Sequence, residues 1–367
     1  MEGTRAQDTD LFERDQVGAG DGSDGGGGDD GWDGGSGDDG RPNRREKRRN
    51  RRVLVVALVL LVVPVLAVGG YLAWLNHIVT NNVKQELLLP DAADGSGALP
   101  TDKNGDVVAQ PVGNGTNYLI IGNDAGPDRV GARSDVMVLV HVPDDHSEVT
   151  LIHFPRDLYV SIPGRGKNKL NAAYAFGGSP LLVTTMQNLL GIRIDHVAML
   201  GFEGFKSMTD AVGGVDVNVA EASEGDGKVF PKGVMHMDGE TALVFVRQRH
   251  QLSEGDISRG QRQLAFIKAL MLKTLSKDVI TNPIRLKDFT EAATSNLTVD
   301  QKLDVGTMRS EAFAMRGLRG SDIRFITAPF TGFGTSPQGA SIDIVDEAKM
   351  DELGKAIRDD ALSSYTD

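Results

Sequence analysis

Between Val53 and Leu75 the chain carries no charged residue. As a helix that stretch would be roughly 34 Å long at 1.5 Å per residue, enough to cross a bilayer. No other feature restricts the architecture so sharply, because a span fixes what lies on either side of it. Pro64 would kink such a helix, which membrane helices tolerate. Tyr71 and Trp74 near its far end suit the interface. RPNRREKRRNRR, residues 41–52, precedes the run. A cleaved signal peptide would have a shorter apolar core and a less extended leading tail. The expectation is a single-pass anchor in the cell membrane. The positive-inside rule puts its N-terminus in the cytoplasm and the C-terminal domain in the extracellular space.

The chain then divides into a disordered cytoplasmic tail ending in the basic block (1–52), a transmembrane helix (53–75), an extracellular stalk (76–114) and a folded domain (115–367). Residues 1–40 hold 12 acidic and 2 basic residues among many glycines, with almost nothing to bury. A GxGxxG match at Gly20–Gly25 has no strand before it and no helix after it, so it is not a dinucleotide site. The tail carries −10 and the basic block +7, leaving −9 of the formal −12 to the rest. An acidic main domain argues against a nucleic-acid surface. A DNA-binding role for the basic block would strand that domain across the membrane. The absence of cysteine excludes disulfides, Cys-ligated zinc and thiol catalysis.

Within the domain, Tyr118–Gly122, Val136–Val142 and Val149–Phe154 read as strands, Pro180–Leu190 as a helix ending at Gly191, and His196–Phe202 as a strand. A helix over Glu203–Val212 and a strand over Val215–Val219 follow. Ala242–Arg249 reads as a strand, Ser258–Ser276 as a long helix and Thr281–Gly317 as mostly helical. Arg324–Ala328 and Ala340–Val345 read as strands before a terminal helix, Glu347–Ala361. Strands alternating with helices argue an α/β layered fold.

The densest chemistry lies in RQRHQLSEGDISRGQRQ, Arg247–Gln263. Arg247 and Arg249 are two apart and would share a face at the end of the Ala242 strand. Arg259 and Gln263 are four apart on the following helix, on a stripe that continues through Phe266 and Leu270 toward the core. Arg262 falls roughly 60° off that stripe and is expected in solvent. Guanidinium groups gathered at a strand end and a helix start suit a phosphate. Any one of them alone reads as a surface residue in a local Arg–Asp pair. The set favours an anion site.

Asp124 follows the first strand and Asp135 opens the second. If those strands are neighbours, both carboxylates sit at one sheet edge, and carboxylates with phosphate oxygens are usual magnesium ligands. Taken alone, a turn at Asp124 and an Asp135–Arg133 pair is the better reading. FPRD, 154–157, ends the third strand; on its own Arg156–Asp157 reads as a solvated ion pair. In KLNAAYAFGG, 169–178, Asn171 and Tyr174 are polar contacts or cap residues. There is no GxSxG elbow, no P-loop and no HExxH. His153 and His250, near the arginines, read as structural.

In order and spacing these segments resemble the LytR–CpsA–Psr family. GND at 122–124, RSD at 133–135, FPRD, KLNAAYAFGG, VGGVDVNV at 212–219, MDGETALVFVRQR at 237–249 and GDISRGQRQ at 255–263 carry the likeness, which is specific over 117–275 and looser to about 345. The resemblance implies an α/β/α fold with a mixed central sheet and a hydrophobic cleft or tunnel for a polyprenyl chain. It implies that 115–367 is a catalytic domain transferring a glycopolymer from a polyprenyl-pyrophosphate carrier to peptidoglycan through a phosphodiester. Carried over by position, Asp124 and Asp135 would hold Mg2+. Arg133, Arg156, Arg247, Arg249, Arg259 and Gln263 would bind the pyrophosphate, and Asp256 would orient arginines. Two places depart from the family's pattern. Asn123 and Ala125–Gly126 stand where a serine and an arginine are frequent, and His153–Phe154 where Ser-Ile is. The first puts one phosphate contact in doubt. The rival reading is a non-catalytic binder of polyprenyl phosphates or wall glycans. A transcriptional role conflicts with the expected topology.

Overall fold

The computed structural model describes residues 66–90, 113–123, 134–248, 252–253 and 256–366; the side chains of residues 123, 135, 202, 256, 257 and 312 fall outside the description. All of these belong to one compact unit, Pro64–Asp367. Most of the expected span lies outside the described residues. Helix α1 covers 66–82, and among the described residues no helix is long and apolar enough to cross a membrane.

Alternation of apolar residues builds a seven-stranded mixed sheet. Its strands are β1 (Lys84–Glu86), β2 (Thr116–Asn123), β3 (Ser134–Val142) and β4 (Val149–His153), with three more from later in the chain. Between them in sequence, β5 (Tyr159–Ile162) and β6 (Gly166–Lys169) form a hairpin leading into helix α2 (Leu170–Leu190). Strand β7 (His196–Gly201), helix α3 (Phe202–Ala211), β8 (Val215–Val219), β9 (Ser223–Gly225), β10 (Lys228–Phe230) and β11 (Gly233–Met237) follow. Next come helices α4 (Gly239–Arg247), α5 (Asp256–Thr274), α6 (Lys277–Ile280) and α7 (Pro283–Ser295), β12 (Leu297–Asp300) and α8 (Val305–Ala314). The chain finishes with β13 (Ile323–Thr327), the hairpin of β14 (Phe330–Thr335) and β15 (Ser341–Val345), and α9 (Glu347–Arg358). The sheet order is β1-β12-β7-β2-β3-β4-β13. β2 runs parallel to β7, and β4 parallel to β13, while β3 is antiparallel to β2 and β4. The C-terminal ends of β2, β4, β7 and β13 and the start of β3 therefore share one sheet edge.

One face of the sheet is sealed. Leu119, Ile121, Met137, Leu139 and Ile152 are fully buried in a core with α2 and α9 residues such as Leu182, Met186 and Leu353. On the other face Val138, Val149 and Leu151 pack with Ile267 and Met271 of α5. A separate core gathers Val215, Val217, Phe230, Phe245 and Phe266 around α3, α4 and α5. This is the expected α/β architecture with a mixed central sheet.

One local expectation is corrected and others are refined. Ala242–Arg249 is not a strand: Ala242, Phe245 and Val246 are spaced for one helical face and all buried, and Asp238 caps α4 by accepting from Thr241 N at 2.8 Å. The β-branched run misled because burial of that face outweighs propensity. The helix expected over Pro180–Leu190 is present and ends at Gly191, and a further helical stretch from Leu170 precedes it across a break at Gly177–Gly178, where Gly178 has φ 64°. Inside Thr281–Gly317 the helices are interrupted by β12. In the segment expected as stalk, β1 pairs with β12, and Leu88 is 4% exposed with its carbonyl accepting from Ser179 Oγ at 2.8 Å. The packed unit thus takes in residues upstream of 115.

Candidate functional site

The shared sheet edge is where the expected residues fall. β4 ends at His153, and pairing continues for one bond beyond it, Phe154 N to Met137 O at 2.9 Å. Pro155 then ends the ladder, and the backbone of Arg156 and Leu158 accepts from Asn171 N and Leu170 N at the start of α2, 3.0 and 2.8 Å away. Arg156 and Asp157 are thereby wedged between β4 and α2, with side chains only 12% and 15% exposed. They are not the solvated pair that the tetrapeptide alone suggests.

The Asp157 carboxylate lies 3.0 Å from Lys169 Nζ and 3.9 Å from Arg156 Nε. Lys169 was missed by the sequence reading. The β5–β6 hairpin brings it back opposite Tyr159, and no linear spacing signals that return.

The helix face of the site is α5. A Cβ built on Gly260 would fall 2.4 Å from His153 Cε1, so the missing side chain is what lets the helix sit on the end of β4. His153 is buried. Desolvation, and then the nearby Arg259 charge, push its imidazole down to about 4. It is neutral at physiological pH and reads as a spacer, in keeping with its structural expectation. Arg259 and Gln263 are 4% and 6% exposed, so their stripe does turn inward. Gln263 Nε2 donates to Val246 O at 3.4 Å, while its Oε1 has no hydrogen-bond partner among the described residues. A buried acceptor in that condition is a place for a ligand donor or water.

Arg262 is a correction. It is 5% exposed rather than solvated, and its guanidinium lies 4.6 Å from the centre of the Phe245 ring. The helical-wheel argument assumed that α5 has one buried face. It has two, because Phe266 serves one core and Ile267 and Met271 another.

Arg247 lies in the last turn of α4 and is exposed. Its neighbours Val246 and Gln248 both bond α5 side chains, Gln263 and Arg262. The structure thus gathers Arg156, Lys169, Arg259 and Gln263 in buried or half-buried positions and leaves Arg247 at their rim. Arg133, Arg249 and Asp124 lie outside the described residues, as do the side chains of Asp135 and Asp256. What is described is backbone. Asn123 pairs with Ser134 and Gly122 with Val136, so Asp135 is the extra residue of a bulge at the sheet edge. Asp256 is the first residue of α5. Asp124 directly follows Asn123, so the two carboxylate positions flank one cross-strand pair. Among the described residues no group of three or more metal-binding side chains exists.

The second face of the sheet is incompletely covered beside this edge. Tyr118, Ile120, Val136 and Val140 are half-buried where their counterparts on the sealed face are fully buried. Register puts Ile120 beside Ala198, and Gly122 beside Leu200, on this same face, both also half-buried. Ile267 and Met271 of α5 pack against the same cluster.

Arg259 and Gln263 are thus buried on α5, beside the end of β4 in an α/β domain. Comparison with known proteins makes the class specific. The LytR_cpsA_psr family profile matches residues 91–359, and the chain belongs to that family. It is 34% identical over 245 residues to the polyisoprenyl-teichoic acid–peptidoglycan teichoic acid transferase TagU of Enterococcus faecalis, covering 66% of this chain and 78% of TagU. Among solved structures, B. subtilis TagV superposes with a TM-score of 0.58 at 26% identity, covering 71% of this chain and all of that one. A structure of TagT bound to LI-WTA matches with a TM-score of 0.54 at 27% identity, over 72% of this chain and 96% of TagT.

Proposed function

We propose that this protein is a membrane-anchored transferase that moves a glycopolymer from a polyprenyl-pyrophosphate carrier to peptidoglycan. The observation that carries the reading is the burial of Arg259 and Gln263 on α5 beside the end of β4, with half-buried apolar residues of the second sheet face packed on the same helix. Guanidinium groups bind phosphate oxygens bidentately and keep their charge, and a prenyl tail suits apolar residues beside them. The transferase activity named for the TagU relative supports the reading. The uncharged Val53–Leu75 stretch behind a basic block supports a single-pass anchor with the domain outside the cell.

In this reading Arg156, Arg247 and Arg259, with Arg133 and Arg249, grip the two phosphates, and Gln263 donates beside them. Asp256 holds the loop arginines in orientation. Asp124 and Asp135 would hold Mg2+, which supplies charge neutralisation on the phosphate oxygens. An acceptor hydroxyl of peptidoglycan attacks the phosphorus that carries the glycan. The phosphoanhydride bond breaks, polyprenyl phosphate leaves, and a phosphodiester forms. Asp157, kept beside Lys169, is placed to take the hydroxyl proton. Phosphoryl transfer depends on positioning and charge more than on covalent help, which suits a site made of cations and lacking a nucleophile.

The test offers the full chain in detergent a short-chain prenyl-pyrophosphoryl sugar and peptidoglycan oligomers, with Mg2+ or with EDTA, and follows the products by mass spectrometry. Metal-dependent sugar-phosphate adducts, lost in Asp135→Ala and Arg249→Ala, are expected. Donor binding with no adduct and no released phosphate, unchanged by Asp135→Ala, would make the protein a binder.

A further inference from the structure

Arg262 is buried in a place where nothing about the donor requires it. Its Nη1 donates to Gln248 Oε1 at 2.8 Å, and its Nη2 to Glu221 O at 2.9 Å and Ser223 Oγ at 2.7 Å. The guanidinium also stacks 4.6 Å from Phe245 and 6.0 Å from Phe230. These partners mark both ends of one connection. Gln248 is the first residue after α4 and accepts from Ser223 Oγ at 2.9 Å as well. Glu221, whose carbonyl Arg262 takes, uses its carboxylate to accept from Ser253 N at 2.9 Å and Ser253 Oγ at 3.1 Å. One cation on the second turn of α5 therefore fastens the beginning and the later part of the segment joining α4 to α5. It does so through the β9–β10 hairpin, whose Gly225 would meet Gln248 at 3.1 Å if it carried a Cβ.

We infer that Arg262 is a positioning residue: it sets where α4 ends and α5 begins, and so fixes Arg247 and Arg259 relative to each other. Planar forked donors suit this task, since three oxygens on two segments, Gln248 after α4 and the Glu221–Ser223 stretch, are held by one rigid group. The inference rests on reading those arginines as the grip on the donor pyrophosphate. It goes further by assigning a residue outside that grip to its geometry.

The experiment titrates a short-chain prenyl pyrophosphate into the full chain in detergent, well below Tm, for Arg262→Met, Arg262→Lys, Gln248→Ala and Arg259→Ala. Arg262→Met should raise the donor Kd on the order of tenfold to a hundredfold, as displacements of about 1 Å do elsewhere. Arg262→Lys should recover part of that loss. Gln248→Ala should repeat it with little change in Tm, which keeps the question answerable if Arg262→Met folds poorly. A lower Tm with unchanged donor Kd in both the Arg262 and Gln248 variants would make Arg262 structural and overturn the inference, with Arg259→Ala still losing affinity. Unchanged affinity in Arg259→Ala would overturn the reading of the site, and this inference with it.

Discussion

Gly260 of α5 and His153 at the end of β4 touch as backbone against ring: a methyl group at 260 would lie 2.4 Å from Cε1 and 3.0 Å from Nδ1. This contact joins the two halves of the proposed phosphate grip, since Arg156 follows His153 and Arg259 precedes Gly260. In a solvent-facing helix, Gly→Ala gains about 1 kcal/mol. Here the added methyl must displace a fully buried ring, and overpacking of that kind costs about 1–3 kcal/mol. Gly260→Ala should therefore lower stability in urea unfolding and weaken donor binding. A stabilised variant would show that His153 has room to move.

His153 also makes stability depend on pH. Its folded value is about 4, below the ordinary 6.5 of an unfolded histidine. The unfolded chain therefore binds more protons between those values, and stability rises with pH across that window. The contribution is complete above about 6.5 and is lost as pH falls toward 4, at about 1.4 kcal/mol per unit of difference. His153→Gln should flatten the profile between pH 4 and 6.5. An identical slope in wild type and variant would assign the effect to other groups.

With Mg2+ held as proposed, chelation should act on turnover rather than on folding. The two carboxylate positions flank the Asn123–Ser134 pair in an already bulged strand. EDTA or Asp135→Asn should lower glycan transfer on the order of 10²-fold or more, as loss of a transition-state charge partner does, with Tm nearly unchanged. Full activity in EDTA would remove Mg2+ from the reaction.

The half-covered face predicts a separation of tail from headgroup. Met271→Gln keeps the volume of a side chain packed on the second face of the sheet and makes it polar. Affinity for a prenyl pyrophosphate of about twenty carbons should fall roughly tenfold, in line with about 0.8 kcal/mol per buried methylene lost from favourable contact. Affinity for inorganic pyrophosphate should stay as it was. Equal losses for both ligands would place Met271 outside any lipid path.

The sequence alone carried the family, the α/β alternation, the strands from Tyr118 to Phe154 and the inward turn of Arg259 and Gln263. Each of those is written in spacing: period two in a strand, four residues on a helix, motifs in fixed order. It did not carry the state of Ala242–Arg249, because five apolar residues suit either strand or helix until the buried partners are known. It sent Arg262 to solvent, because a helical wheel presumes one buried face and α5 lies between two cores. It could not place Lys169 beside Asp157, because that contact is made by a hairpin rather than by an interval. Local periodicity is a property of the chain. Which faces are covered, and which distant charges meet, depends on long-range packing that only the assembled sheet and helices decide.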